Sequence, residues 1–592
     1  MTLRALLAAL ILCAAASVGR TAPASIAVAT PDPCTRAAPG SPVPEPRDLR
    51  SENGVLKAEM RIRDVRAADG AAHYCYLLPD GSIAPTLRLH PGDLLILTLK
   101  NELVDLDAGV GIGAEGKTPT HTHDHNHGKS SATTASDPCT SGTMSAVSTN
   151  LHFHGLTVPP VCHQDDVLKT SIQPTDSPFE YRLRIPADEP PGLYWYHPHI
   201  HGFSSKEVSG GASGAMIIEG LERANPEVAG LPERVLVIRD QELVNPNSPP
   251  SKSEPVVPKM LIDRDGDSAN NGTGFGKPAR DLSINFVPVP YPEYPPAILK
   301  MKPGERQLWR VLNASAITYL NLAVLFGNSH TPQKLGLVAI DGVPMNPPLG
   351  RSEPITWVNH IGIPPGARVE FIVTGPAAGE PALFVTRTVD TGQGGENDPN
   401  RALASIIAAG DAPEPQARLP ESPRPLSAPA LPWLGDVQPV RVRKFYFSEK
   451  LDNPKDPNSA TTFYITEEGK TPAPFDPAAT EPDIVAQQGD VEDWIIENRS
   501  TELHAFHIHQ LHFMLLDWLG QPVNEPFLRD TVNVPYFSDR MLQYPSVRLR
   551  MDFRDPNTVG TFVYHCHLLE HEDGGMMGTI RIESAHARAN AP

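Results

Sequence analysis

The stretch Thr561–Gly578, TFVYHCHLLEHEDGGMMG, places His565, Cys566, His567, His571 and Met576 within twelve residues. Side chains alternate between faces along a β-strand. If Thr561–His567 is a strand, His565 and His567 point to one side and Cys566 to the other. A thiolate joined by a later His and a Met reads as a mononuclear copper site with two His, one Cys and an axial Met, a pattern tuned for electron transfer. The two flanking imidazoles then serve a second metal centre on the opposite face, and the strand links the two covalently. The plain alternative is a buried structural Cys beside chance histidines, and it leaves unexplained the partner residues found elsewhere in the chain.

Those partners come as His-x-His pairs. With 22 histidines in 592 residues, one such pair is expected by chance, so a lone pair says little. Outside a His-rich loop there are four places with such pairs: LHFHG (His152, His154), YHPHIHG (His197, His199, with His201 following), HAFHIHQ (His504, His507, His509) and YHCHLLEH (His565, His567, His571). On a strand each pair shares a face. Four pairs facing one another supply eight nitrogens, enough for three copper ions, although zinc and iron also accept imidazole. His504, Cys566, His571 and Met576 remain for the separate mononuclear site.

Two internal repeats set the domain plan. PGDLLILTLKN, PGERQLWRVLN and QGDVEDWIIEN share a Gly (Gly92, Gly304, Gly489), an acidic residue directly after it (Asp93, Glu305, Asp490) and an Asn nine residues on (Asn101, Asn313, Asn498). Each reads as a turn followed by a strand, which predicts three copies of one β-sandwich. GLYWYHPH (192–199) and GTFVYHCH (560–567) form the second repeat; its expected counterpart in the middle, PALFVTRT (381–388), has no histidine. The outer two copies therefore carry the ligands, and the middle one is expected to be a spacer.

The four motifs in this order resemble those of the multicopper oxidases, the laccase-like family of three cupredoxin domains, over nearly the whole mature chain. The resemblance implies an all-β chain of three consecutive cupredoxin-like Greek-key β-sandwich domains, at 45–222, 230–410 and 440–585, with a linker at 411–439. It implies four copper ions per chain. His504, Cys566 and His571 would bind the type 1 copper with Met576 axial; His152 and His507 the type 2 copper; His154, His197, His199, His509, His565 and His567 the type 3 pair. One-electron oxidation of a reducing substrate would feed the reduction of dioxygen to water. Glu572 resembles the family's exit-side acid and Asp166 the acid near the type 2 copper, with Asp165 as its rival. Ala505 and Gln510 depart from the Pro and Gly often found there, without removing a ligand. Pro198 stands where Cys566 stands in the last domain, so the first domain should lack a type 1 copper. His201 has no assigned role.

Composition agrees with an exported β protein. The chain has 64 Pro and 45 Gly, residues that punctuate strands. A net charge of −19 argues against nucleic acid as a partner, which wants a basic patch. Residues 1–24 read as a secretory signal, with Arg4, the apolar run Ala5–Ala16 and the small residues Ala22-Pro23-Ala24. No later stretch is long and apolar enough to span a membrane, and a periplasmic or secreted monomer is expected. Setting aside Cys13 and Cys566, four cysteines remain and suggest two disulfides with three possible pairings. Sequence proximity favours Cys34–Cys75 and Cys139–Cys162. The loop 118–130 holds His121, His123, His125 and His127 and reads either as loose metal capture or as a polar insertion. Asp263, Asp265 and Asp267 fail as a calcium loop, because Ser268 and Gly274 replace the Gly and Glu it needs.

Phenols, aromatic amines or low-valent metal ions are the expected donors. A metal-ion oxidase acting on Cu(I), Fe(II) or Mn(II), a copper nitrite reductase, a copper-buffering protein and a scaffold that lost its metal are the alternatives. The 12 Met are scattered, which weakens the Cu(I) reading.

Overall fold

The computed structural model describes residues 33–67, 70–106, 137–140, 142–249, 275–345, 353–421, 431–453 and 459–585. The signal 1–24, the His-rich loop 118–130 and the aspartates 263–267 lie outside these. Six sheets pair into three β-sandwiches, and the Gly-acid-Asn repeat shows why. In each copy the Gly has a positive φ (+89° at Gly92, +68° at Gly304, +96° at Gly489), the left-handed turn that glycine enters without steric cost. The strands that follow, Leu94–Asn101, Arg306–Asn313 and Val491–Asn498, each pair parallel to one neighbour and antiparallel to another.

Each strand ends on the Asn, which does the same work three times. Its amide donates to two carbonyls: Val147 and Ile172 (2.8 and 2.7 Å) from Asn101, Thr318 and Ile363 (3.0 and 3.3 Å) from Asn313, Glu502 and Val534 (2.7 and 3.2 Å) from Asn498. Its carbonyl accepts the amide two residues on, from Leu103, Ser315 or Ser500. A buried polar side chain satisfied in this way ties a strand end to two other segments. The result is three consecutive cupredoxin-like, Greek-key sandwiches.

In the first sandwich the outer sheet alternates buried and exposed residues along Val55–Arg66 and Phe179–Arg184, the pattern of a sheet wet on one face. The inner sheet runs Asp48–Arg50, Thr86–Leu89, Gly214–Ile218, Gly192–His197, His152–His154. Gly192–His197 and Gly214–Ile218 are buried throughout. Leu193, Trp195, Ala215 and Ile217 pack on Val235, Val237, Leu312 and Ala314 of the middle sandwich, so this sheet is covered on both sides.

Three of the histidine strands are flanked on both sides in their sheets, and the fourth, His152–His154, is an edge strand. His152–His154 lies against Gly192–His197, with His152 opposite His197. His504–Ile508 lies against Gly560–Cys566, with His507 opposite His565 and Phe506 opposite Cys566. The helix Leu569–Asp573 follows, and Asp573 accepts the backbone amides of Gly202, Ser204 and Ser205 at 2.9–3.2 Å, docking the last sandwich on the first. The middle counterpart, Ala382–Thr386, sits between Leu320–Phe326 and Arg401–Ala408. The interval 411–439 is anchored at both ends, by Ala417–Arg418 pairing with Pro232–Glu233 and by Leu434 packing on Val491 and Met514.

Cys34 bonds to Cys75 and Cys139 to Cys162, the pairing that sequence proximity favours. Cys566 is the free thiol among the described residues. No described helix is long and apolar enough to cross a membrane.

Candidate metal centre

Around Cys566 the geometry is that of a ligand triad. Its Sγ lies 3.5 Å from His504 Nδ1 and 3.9 Å from His571 Nδ1, and the two imidazole nitrogens are 3.2 Å apart. Met576 is fully buried in the same core as Cys566, and its carbonyl accepts the Cys566 amide at 3.1 Å. Burial pushes the thiol up to about 12 and holds His571 down at about 3. The imidazole is thus neutral with its lone pair available, and the thiol must give up a proton as a cation enters.

On the other face, eight imidazoles from both outer sandwiches converge. Their ligand atoms form three groups, the first two sharing His154: His152, His154 and His507; His154, His197 and His567; His199, His509 and His565. His154 stacks on His507 with centroids 3.9 Å apart, and His152 on His509 at 3.8 Å. His565 Nε2 is 3.4 Å from His199 Nε2 and 3.3 Å from His509 Nε2. Two nitrogens held at roughly 2.0–2.1 Å by one tetrahedral ion stand about that far apart. Burial lowers the pKa of His154, His197, His199, His507, His509, His565 and His567, so these too are neutral donors.

In four of these histidines Nδ1 is engaged by the protein. His152 Nδ1 sits 3.0 Å from both oxygens of Asp165. His507, His197 and His565 meet the carbonyls of Asp530, Pro198 and Cys566 through Nδ1 at 2.8–2.9 Å. His154 reverses the pattern, with Nε2 lying 3.2 Å from Asp530 Oδ1. What remains without a hydrogen bond, fully buried, is Nε2 of His152, His197 and His507, Nδ1 of His154 and His509, and both nitrogens of His567. Buried polar atoms rarely stay unpaired, and neutral nitrogens aimed at one another are a metal's donor set.

Two family models, each described as Multicopper oxidase, match residues 144–223 and 452–586, the stretches that hold every one of these side chains. The chain belongs to the multicopper oxidase family. Multicopper oxidase mco of Staphylococcus haemolyticus is 23% identical over 445 residues, 73% of this chain and 76% of its own. A laccase of Bacillus subtilis is 22% identical over 468 residues, 74% of this chain and 80% of that one. The solved structure of a multicopper oxidase from Campylobacter jejuni, described as a metallo-oxidase, shares the fold with a TM-score of 0.61 at 24% identity, over 93% of this chain and 97% of that one.

For a multicopper oxidase, a donor set of imidazoles, one thiol and a thioether fits copper, since thiolate and thioether favour the soft ion and imidazole suits it. The acids divide differently from expectation. Asp166 is half-buried, its carboxylate accepting the Lys169 amide at 3.2 Å. Asp165 is the one against His152; it also accepts the Phe153 amide at 2.9 Å and the Gln510 side chain. Gln510 has φ +59°, so this oxidase keeps the left-handed backbone that suits the family's Gly and gains a donor to Asp165. Glu572 lies 3.6 Å from His199 and from His565 and accepts from Ser204 Oγ at 3.2 Å. Burial first, and then the charge of Asp573, raises its pKa well above the ordinary range. His201 packs edge-on against Phe475.

Sequence reasoning missed four contributors. Glu449 Oε1 lies 3.2 Å from His504 Nε2, and Glu502 Oε1 lies 3.4 Å from His571 Nε2. Asp530 meets His154 and His507. Arg368, from the middle sandwich, forks onto Asp530 at 2.8 and 2.7 Å, which holds that carboxylate at about 2 against the opposing effect of burial. The middle sandwich is therefore more than the expected spacer. Through Arg368 it reaches the histidine cluster.

Proposed function

We propose that the protein is an exported oxidase that couples one-electron oxidation of a small reducing donor to four-electron reduction of dioxygen to water. His504, Cys566, His571 and Met576 would hold the type 1 copper; His152 and His507 the type 2 copper; and His154, His197 and His567, with His199, His509 and His565, the type 3 pair, in domains spanning 45–222 and 440–585. When bound, these coppers supply the electron-transfer and dioxygen-reducing chemistry. One observation carries the reading: Cys566 belongs to the triad on one face, while its neighbours His565 and His567 belong to two different groups on the other. Backbone and side chain of three consecutive residues thus join the donor end to both halves of the pair. Glu572, kept protonated by burial against His199 and His565, is placed to give protons to the reduction. Asp165 fixes His152 by its Nδ1 and takes the part expected of Asp166. The two disulfides support an oxidising compartment.

Of the donor classes expected from sequence, the surroundings of the type 1 triad favour a metal cation. Both of its imidazoles are fully buried, Phe463 stacks on His571 at 4.2 Å, and the outer nitrogens face carboxylates rather than an open aromatic slot. Acidic groups at that edge attract Cu(I), Fe(II) or Mn(II) and do nothing for a neutral phenol. Phenols and aromatic amines are the second reading, supported by the likeness to a laccase. Steady-state oxidation of a phenol, Cu(I), Fe(II) and Mn(II) by copper-loaded protein separates them. Glu449→Gln and Glu502→Gln are expected to raise KM for the metal ion by more than they change the phenol reaction. Equal loss on both donors overturns the cation reading, and a preparation holding fewer than four coppers per chain overturns the assignment of sites.

A further inference from the structure

At Asp530 all three sandwiches meet the histidine cluster. This residue sits just before the strand Thr531–Val534 of the last sandwich. Its carboxylate lies 3.2 Å from His154 Nε2 of the first, and its backbone carbonyl lies 2.9 Å from His507 Nδ1. The Arg368 fork comes from the middle sandwich, where Nε also donates to Leu193 O at 3.1 Å and Nη1 to Gly366 O at 3.2 Å. Thr531 Oγ1 donates to the same Asp530 oxygen that faces His154, at 2.8 Å. Asp530 and Arg368 are both fully buried. The space is made for them: a Cβ on Gly155, φ +91°, would stand 2.8 Å from Asp530 Oδ2 and closer still to Arg368 Nη2. The glycine closing LHFHG is therefore needed by this clamp.

We propose that Asp530, clamped by Arg368, is a positioning residue that turns His154 to ligate through Nδ1 and His507 through Nε2. This rests on the reading that these histidines hold the cluster, and it deepens that reading by naming what sets the geometry between its two kinds of copper. Proton placement decides which nitrogen faces inward. A carboxylate with two arginine bonds and a threonine bond has only acceptor capacity left for an imidazole. It therefore requires the N–H on His154 Nε2, and Nδ1 must carry the lone pair. The Asp530 carbonyl requires the N–H on His507 Nδ1, so Nε2 carries the lone pair. Those are the two nitrogens left without a hydrogen bond. His154 belongs with the type 3 ligands and His507 with the type 2 ligands, and their rings stack face to face. One residue thus sets the spacing between the two, holding His154 by its carboxylate and His507 by its backbone carbonyl, and a guanidinium fork is the partner whose planar, two-point contact keeps that carboxylate from rotating.

The test uses the full copper-loaded chain. Arg368→Lys keeps the charge and loses the fork. The double variant Arg368→Met with Asp530→Asn removes both buried charges together, so that neither is left unpaired. In each, the type 2 electron paramagnetic resonance signal, copper retention against a chelator and the type 1 visible absorption are measured. The expected result is an altered type 2 signal and about 10–100-fold weaker retention at the cluster, with the type 1 absorption unchanged. An unchanged type 2 signal and unchanged retention in the folded double variant overturn the proposal. So does loss of type 1 and cluster copper in parallel, which makes the pair a structural bridge only. Wild-type protein lacking a type 2 signal would instead defeat the underlying assignment of the histidines.

Discussion

Gly366→Ala should empty part of the trinuclear cluster while leaving the type 1 site intact. Gly366 lies in the turn Pro364–Ala367, between the strands Ile361–Ile363 and Arg368–Thr374. Ala367 donates its amide to the Pro364 carbonyl at 3.2 Å, and Gly366 has φ +85°. A proline at the second position and a positive φ at the third make this a type II turn. A Cβ added here would lie 2.7 Å from His567 Nε2 and 2.8 Å from both Cδ2 and Cε1. The near-equal distances put the methyl on the face of the ring, at its Nε2 end. Ordinary carbon contacts begin near 3.4–3.5 Å, so the ring must shift by roughly 0.7 Å. It has little room to do so, since His154, His507, His197 and Trp195 surround it with centroids at 5.0, 5.4, 5.8 and 5.8 Å. A displacement of that size is about a third of a metal–nitrogen bond of roughly 2 Å, too much for a closed ligand set to absorb.

Two costs combine in this variant, and a second substitution separates them. A non-glycine residue in the left-handed region costs about 1–2 kcal/mol, and overpacking a buried contact costs about 1–3 kcal/mol. Gly379, with φ +78° and nothing within 4 Å of an added Cβ, carries only the first. Gly379→Ala should lower the thermal midpoint slightly and keep four coppers per chain. Gly366→Ala should retain the blue type 1 absorption, bind fewer than four coppers by elemental analysis and lose turnover. Four coppers and wild-type turnover in Gly366→Ala would refute the claim that the middle sandwich borders His567.

Met576→Leu should raise the type 1 potential with copper retained, because a hydrocarbon cannot donate to the metal; a redox titration showing no rise removes Met576 as axial ligand. Cys566→Ser should abolish the intense visible absorption and donor oxidation together, and persistent blue colour would show that the thiolate ligand lies elsewhere. Glu189 is buried, which pushes it from 4.5 up to about 8 against the amide bond from Thr157. A carboxyl raised on folding contributes stability that is full below its unfolded pKa and is lost as pH rises through the folded one. Glu189→Gln should therefore flatten the fall in unfolding midpoint between about pH 5 and 8, by at most one proton's worth of slope; a slope equal to wild type would mean that the carboxyl does not titrate in that window.

The fold and the clustering of the histidines were legible because both depend on spacing. A period of two puts His565 and His567 on one face and Cys566 on the other, and a Gly followed nine residues later by Asn marks the same strand three times. The choice between Asp165 and Asp166 has no such handle, since neighbours in an irregular loop share no period. It is made by the turn itself: Asp166 accepts the amide three residues on, which leaves Asp165 facing inward. Arg368, Gly366, Asp530 and Glu449 are harder still. They sit in IPPGARVEF, FLRDTV and FYFSEKL, stretches that read as ordinary strand edges, and they matter only where three sandwiches close on one another. A metal demands particular donor atoms at short range, and that demand writes a motif. A group that orients a donor needs only a charge at the right distance, and with 69 acidic residues in the chain nothing local distinguishes the one that is used. This is why a domain with no His-x-His pair could be read as a spacer. Histidine patterns report who touches the metal, whereas buried arginines and glycines at positive φ report who holds the histidines.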